Sequence, residues 1–283
     1  MSVYITTAAN AALVASTRNN PLIGWNNCVT TSNISSTSAA SGFPATNMAN
    51  PSTRPQWKGA TNSPLAIEYV TVIPGNGQLI DYLAIAAHNL GSIASKLVIE
   101  TCTNVAASPQ VWTAHSFGSS PDLITPTTDA PIIFRFVSSA YQGVRLKINV
   151  GTAAPQIGVM YVGALLVCER SIRIDTDHVP INYGKESKVI SGMSESGNFL
   201  GRIVQTEWVQ SEMAFSFFSN AWYRANFKPF LDAANETPFF HAWFPTDHPE
   251  DVGYVWLTDD PRSGVNTVTD RFNITLKYQG LAS

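Results

Sequence analysis

The chain is poor in charge. Of its 283 residues only 13% are Asp, Glu, Lys or Arg, about half the share of an ordinary soluble domain. The 17 basic and 20 acidic residues leave a net charge of −3, which gives none of the basic excess of a nucleic-acid-binding protein. Cysteine is scarce as well. Cys28, Cys102 and Cys168 are odd in number, far apart and in no CxxC pair, which argues against a disulfide framework or a cysteine metal site. Each lies in an apolar, strand-like run, so the expectation is three buried thiols made in a reducing cytoplasm. Long apolar runs are missing: the longest, 157–168, is too short to span a bilayer. Residues 1–20 hold no basic stretch followed by an apolar one, so no signal peptide is expected.

What is present divides near residue 170. Before that point lies the apolar run Ile157-Gly-Val-Met-Tyr-Val-Gly-Ala-Leu-Leu-Val-Cys168; after it come Glu169, Arg170, Arg173, Asp175 and Asp177, the first dense charge in the chain. The length allows two domains, each with its own core. The expected division is an arm or edge strand at 1–20, a first domain at 21–168 and a second at 169–283.

In the first half, residues 30–56 are rich in Ser, Thr, Asn and Pro and read as loop. Short apolar runs follow at Leu65–Val72, Leu79–His88, Lys96–Thr101, Val111–Phe117, Ile132–Val137, Gly143–Val150 and Gln156–Cys168. Pro, Gly and Asn bound them, which is strand punctuation. In Val144-Arg-Leu-Lys-Ile-Asn-Val150 the apolar residues alternate with polar ones, the pattern of one buried and one wet face. Such strands without intervening helices imply a β-sandwich.

In the second half, 187–201 is rich in Gly and Ser and reads as a hairpin or mobile loop. A long, broken strand follows at 202–218. One helix is predicted from about 220 to 234, capped by Ser219 or Asn220, with Tyr223, Phe227, Phe230, Leu231 and Ala234 at helical spacing. Pro229 inside it predicts a kink or two short turns. Strands are then expected at 239–244, 253–257 and 271–279. The fold class is therefore all-β with one short helix.

Two stretches carry a resemblance. Ala45-Thr-Asn47, then Trp57-Lys58, an apolar strand and Ile80-Asp-Tyr-Leu-Ala-Ile85 resemble the discoidin-type, galactose-binding-like jelly roll over about residues 20–168. That family often has Asp-Gly where this chain has Asn50-Pro51, so no family calcium site is carried over. The Ala86-Ala-His-Asn-Leu90 that follows is similar to versions in tailed-phage virion proteins. From 169 to 283, a long strand, "Phe227-Lys-Pro-Phe-Leu231", "Pro238-Phe-Phe-His-Ala-Trp243", "Val252-Gly-Tyr-Val-Trp-Leu257" and "Arg271-Phe-Asn-Ile-Thr-Leu-Lys-Tyr-Gln-Gly280" resemble tail-tube-like or distal-tail-like domains of long-tailed phages. The resemblance implies a jelly-roll sandwich plus a tail-tube-like β-barrel or sandwich. It further implies a structural protein of the tail tip or baseplate ring, located in the virion, with tube, hub and fibre proteins as partners.

Candidate sites are few. Arg54, Trp57, His88 and Asn89 combine an aromatic ring with polar side chains and suit a host glycan; the competing reading is that Trp57 plugs the sandwich and Asn89-Leu-Gly91 is a turn, the commoner use of a Trp. His241, Asp247, His248 and Asp251 are metal-ligand types, but Asp247-His-Pro249 is turn chemistry and no HExxH spacing exists, so no metal is expected. Asp175, Asp177 and His178, and the pair Asp259-Asp260, read as solvated loops. No nucleophile–base set is recognisable, so the expectation is no enzyme and no cofactor. Gly192, Met193, Ser194, Glu195, Ser196, Gly197 and Asn198 are the expected assembly loop of a homo-oligomeric ring. The rival expectation is a carbohydrate-binding adhesin; a third is an accessory module of a glycoside hydrolase.

Overall fold

The computed structural model describes residues 3–13, 17–75, 77–118, 123–172, 178–261, 263–266 and 270–281. Arg173, Asp175 and Asp177 lie outside them. The chain is all-β. The strands of the first half are β1 (Val3–Ile5), β2 (Leu22–Gly24), β3 (Ile34–Ser36), β4 (Trp57–Lys58), β5 (Ile67–Val72), β6 (Ile80–His88), β7 (Lys96–Cys102), β8 (Thr113–Ala114), β9 (Ile132–Ser139), β10 (Gly143–Asn149), β11 (Gln156–Gly163) and β12 (Leu166–Val167). Those of the second half are β13 (Lys185–Met193), β14 (Phe199–Ser219), β15 (Phe239–Ala242), β16 (Val252–Leu257), β17 (Ser263–Asn266) and β18 (Arg271–Gly280).

They form three sheets. Two have five strands, in the orders β1-β9-β6-β11-β4 and β3-β5-β10-β7-β8; the third runs β12-β2-β15-β16-β18-β14-β13, with β17 on β18. The two five-stranded sheets enclose one core, in which Leu83, Ile85, Phe134 and Met160 meet Val70, Ile99, Leu146 and Ile148. This is the sandwich read from the sequence. The first sheet is buried on its other face too. There Tyr82, Ala84, Ile133, Val159 and Tyr161 pack against Leu22, Phe240, Ala242 and Tyr254 of the third sheet. Covering on both faces explains why β6 and β11 are apolar almost throughout. β10 alternates because one of its faces looks outward.

The third sheet draws β2 and β12 from the first half: Phe240 pairs with Gly24 and Ile23 with Leu166. It is an open sheet. Its path ends at β12 and β13, so among the described residues it is not a closed barrel, and the barrel half of the barrel-or-sandwich expectation is corrected. The reason lies in β13, whose outer edge no described strand reaches.

The helical run 220–234 covers the third sheet through Phe227, Phe230 and Leu231. A π-helical turn at Tyr223–Phe227 precedes the α-helix Lys228–Ala234, and Pro229 falls in that helix's first turn, where a missing N–H costs nothing. Ser219 makes no side-chain cap bond. Instead its N–H and hydroxyl both donate to the Glu169 carboxylate, each at 2.7 Å. A second helix, Thr7–Ala11, was not read from the sequence; the Thr6 hydroxyl accepts from the Ala9 N–H and caps it. The expected strand at 111–117 shrinks to Thr113–Ala114, because Trp112 turns onto the outer face of β10, its ring against Gly143. Residues 30–56 hold β3 and a 3-10 turn, Ala45–Ala49, anchored by buried Met48. Cys102 and Cys168 are buried free thiols; Cys28 is half-buried and burial pushes its thiol up to about 11.

Candidate functional site

The four glycan-site candidates of the sandwich do not form one open site. Trp57 is 0% exposed, lies in the sandwich core, and its Nε1–H donates to the Ser38 carbonyl at 2.9 Å. A sugar has no ring face to stack on there. Asn47, from the 3-10 turn, donates to the Gln56 carbonyl and holds the approach to Trp57 in place. His88 is buried; its Nδ1 accepts from the Leu90 N–H, and burial pushes its pKa down to about 4. Asn89 spends its side chain on the backbone, donating to Ala154 O and accepting from Gln156 N–H. Arg54 is exposed in a bend before β4.

Asn89 does border an open groove of about 420 Å³, together with Lys58, Gly59, Asn62, Thr152 and Gln156. The side chains of Lys58, Asn62 and Gln156 make no hydrogen bond among the described residues, so they are free for a ligand. The sequence grouped Asn89 with Arg54, Trp57 and His88 instead, and did not single out Lys58, Asn62 and Gln156, because they are ordinary polar residues in separate loops and strand ends.

In the second half His241 sits at the centre of the third sheet. It is 1% exposed, neither ring nitrogen has a partner, and burial, with His178 nearby, pushes its pKa down to about 3. His178 lies against Trp243 at 4.7 Å between centroids, and its Nδ1–H donates to the Glu212 carbonyl. Asp251 is buried and accepts from Asn182 and from Trp243 Nε1–H. Asp247 accepts from Arg18 and Asn19. Only His248, Glu250 and Asp251 bring ligand atoms together among the described residues. Two of the three are exposed, and Asp251 is already engaged. Asp259 and Asp260 border a shallow groove with Lys277.

The remaining feature is the ribbon β13–β14. β14 has 21 residues, yet it pairs with β18 only from Val209 onward. Over residues 199–208 its one neighbour among the described residues is β13, which is the last strand of the sheet. Among the described residues the stretch 185–208 is therefore a two-stranded ribbon with both edges open. The turn at its tip is closed by Ser194: its N–H donates to the Asn198 carbonyl, its hydroxyl accepts from the Asn198 N–H, and its carbonyl accepts from the Gly197 N–H. Gly197 takes a φ of +81°, a conformation open to glycine at no steric cost. Ile190 faces Ile203 across the ribbon; the opposite face carries Val189 against Val204 and Met193 against Phe199. Ile190, Met193, Phe199, Leu200 and Ile203 are each at least 53% exposed. The sequence reading picked out the tip, 192–198. It also gave a hairpin or loop at 187–201 and a strand at 202–218, but not the start of that strand at Phe199, although Phe199-Leu-Gly-Arg-Ile-Val204 is apolar on both parities.

No family model matches the chain, and no match was found among curated proteins. Solved structures similar to it include chitosan-binding module 1 from a chitosanase/glucanase of Paenibacillus sp. IK-5, at 18% identity and a TM-score of 0.39, over 49% of this chain and 99% of that one. Another is the Clostridium perfringens module CpGH89CBM32-5, bound to GalNAc-β-1,3-galactose, at 11% identity and 0.38, over 53% and 100%. A pectin-binding carbohydrate-binding module matches at 14% and 0.36, over 46% and 88%.

Proposed function

We propose that the chain is a structural subunit that assembles with copies of itself through the ribbon 185–208. The ribbon is the observation that carries this reading. A two-stranded ribbon alone is at best marginally stable in water. An open strand edge is also a template for pairing with another chain, which proteins ordinarily cover or blunt. This one is apolar on both faces as well. A neighbouring copy paired edge to edge widens the ribbon and covers its open edge, and brings its apolar side chains beside those of the next copy. β13 has nine residues, and the free stretch 199–208 of β14 is of similar length, so the β13 edge of one copy matches the β14 edge of the next. Such a contact is heterologous and generates a ring where the rotation closes. The resemblance of 169–283 to distal-tail domains is what supports a position for that ring at the tail tip of a tailed bacteriophage, among tube, hub and fibre proteins. The role needs no catalytic group, cofactor or metal.

Light scattering on the eluting full chain tests it. The wild type is expected above monomer mass, increasingly so with concentration. The variant Ile190→Asp with Ile203→Asp is expected to be monomeric with an unchanged melting temperature. A wild type that stays monomeric at all concentrations overturns the reading.

A second reading, glycan recognition by the sandwich, is favoured by the groove beside Asn89. The groove, not the likeness to carbohydrate-binding modules, carries it. Its uncommitted amides and ammonium suit the hydroxyl groups of a neutral sugar. Titration with neutral oligosaccharides is expected to show binding that Asn62→Ala and Lys58→Ala weaken. Absence of binding, or indifference to both changes, dismisses it.

A further inference from the structure

We propose that the outer face of the sheet β3-β5-β10-β7-β8 binds an extended acidic polysaccharide. This inference uses neither the ribbon nor the groove beside Asn89 and stands without them.

The inner face of this sheet is set by Val70, Val72, Leu97, Ile99, Leu146 and Ile148, all in the sandwich core. Alternation therefore turns Tyr69, Arg145 and Lys147 outward. Arg145 lies opposite Glu100 on β7, and Lys147 lies opposite Tyr69 on β5. Lys96 closes the same face opposite Asn149. The Arg145 guanidinium is held between two rings, its central carbon 4.4 Å from the Tyr69 centroid and 4.3 Å from that of Trp112. Its Nε–H donates to Glu100 at 2.5 Å. The two terminal nitrogens have no hydrogen-bond partner among the described residues. The guanidinium is thus fixed in place with most of its donors unspent, and fixing a donor beforehand lowers the entropic cost of using it.

Charge points to the ligand. The face carries three cations, Lys96, Arg145 and Lys147, against one carboxylate, Glu100, which is already engaged. Neither lysine forms an ion pair among the described residues. This local excess of positive charge stands out in a chain of net charge −3. Aromatic rings pack against the C–H faces of sugars, and guanidinium and ammonium groups take carboxylates through charge-assisted hydrogen bonds. Tyr69 on β5, Arg145 and Lys147 on β10 and Lys96 on β7 lie on three adjacent strands about 4.8 Å apart, which suits a chain lying across the sheet. A nucleic acid fits less well. Three cations make no basic stripe of the kind that tracks a phosphate backbone.

Affinity electrophoresis of the full chain through gels holding polygalacturonate or neutral dextran tests this. Retardation is expected with polygalacturonate only, and it should fade as salt rises. The double variant Lys96→Glu with Lys147→Glu is expected to bind about tenfold more weakly, with its melting temperature unchanged, since both side chains are solvent-facing. Asn62→Ala, in the other groove, should bind polygalacturonate as the wild type does. No retardation of the wild type overturns the proposal, as does a double variant retarded equally. Tighter binding of an oligothymidylate than of polygalacturonate also overturns it, in favour of a nucleic acid.

Discussion

His241 makes the stability of this fold depend on pH, and the size of the effect follows from its burial. The imidazole lies at the centre of the third sheet with no partner on either nitrogen, so it is neutral in the folded state and its pKa falls to about 3. In the unfolded chain it returns to about 6.5. The folded state therefore binds the proton less readily, and stability is lost as pH falls below the unfolded value. The loss is complete only below the folded pKa. Linkage puts the cost at about 3 kcal/mol between pH 7 and pH 4, and about 5 kcal/mol in full. Other groups titrate in that window, carboxylates and His88 among them, so the comparison is made with His241→Leu, which keeps similar volume and removes the titration. Urea unfolding at pH 7, 6, 5 and 4, followed by tryptophan fluorescence, gives both profiles. The variant should gain on the wild type by about 3 kcal/mol as pH falls from 7 to 4. Parallel profiles, with a gap constant to about 0.5 kcal/mol, would refute the account of a buried, unpartnered imidazole.

Other outcomes follow from the packing. Trp57→Ala should cost about 3–5 kcal/mol, read as a fall in thermal midpoint, while Trp57→Phe, which loses chiefly the bond to Ser38, should cost about 1 kcal/mol; a loss below about 1 kcal/mol in the alanine variant would mean the ring is no plug. A fragment ending at residue 168 uncovers the face formed by Tyr82, Ala84, Val159 and Tyr161, so it should aggregate or bind a hydrophobic dye when the full chain does not; a soluble, dye-silent fragment would show that the shared core adds little. Glu169→Ala leaves the Ser219 N–H and hydroxyl without their acceptor and should cost about 1–3 kcal/mol in urea unfolding.

Strands were legible where one face is wet. β10 and β18 alternate in sequence and in burial alike. β6 and β11 were read as strands from their apolar runs and bounding turn residues, without alternation. That a second layer covers them could not be read, since periodicity records burial and not what does the burying. β2 was invisible for the same reason. Leu22-Ile-Gly24 is too short to signal a strand, and its place between β12 and β15 depends on contacts with residues more than a hundred positions away. At the sites, residue type foretold that Trp57 is buried. It did not foretell the stack of Tyr69, Arg145 and Trp112, which β5, β10 and the residue just before β8 assemble from three separated stretches. The ribbon was half legible: Gly and Ser marked its turn, while its open edges appear only once the pairing of β14 with β18 is seen to stop at Val209.

The central claim is that the ribbon's edges are paired with neighbouring copies. Electron microscopy of the assembled full chain tests it most directly. The account predicts a closed ring in which β13 of one copy lies beside the 199–208 stretch of the next, at the strand spacing of about 4.8 Å. A single copy, or a ring whose ribbons point into solvent unpaired, would contradict it.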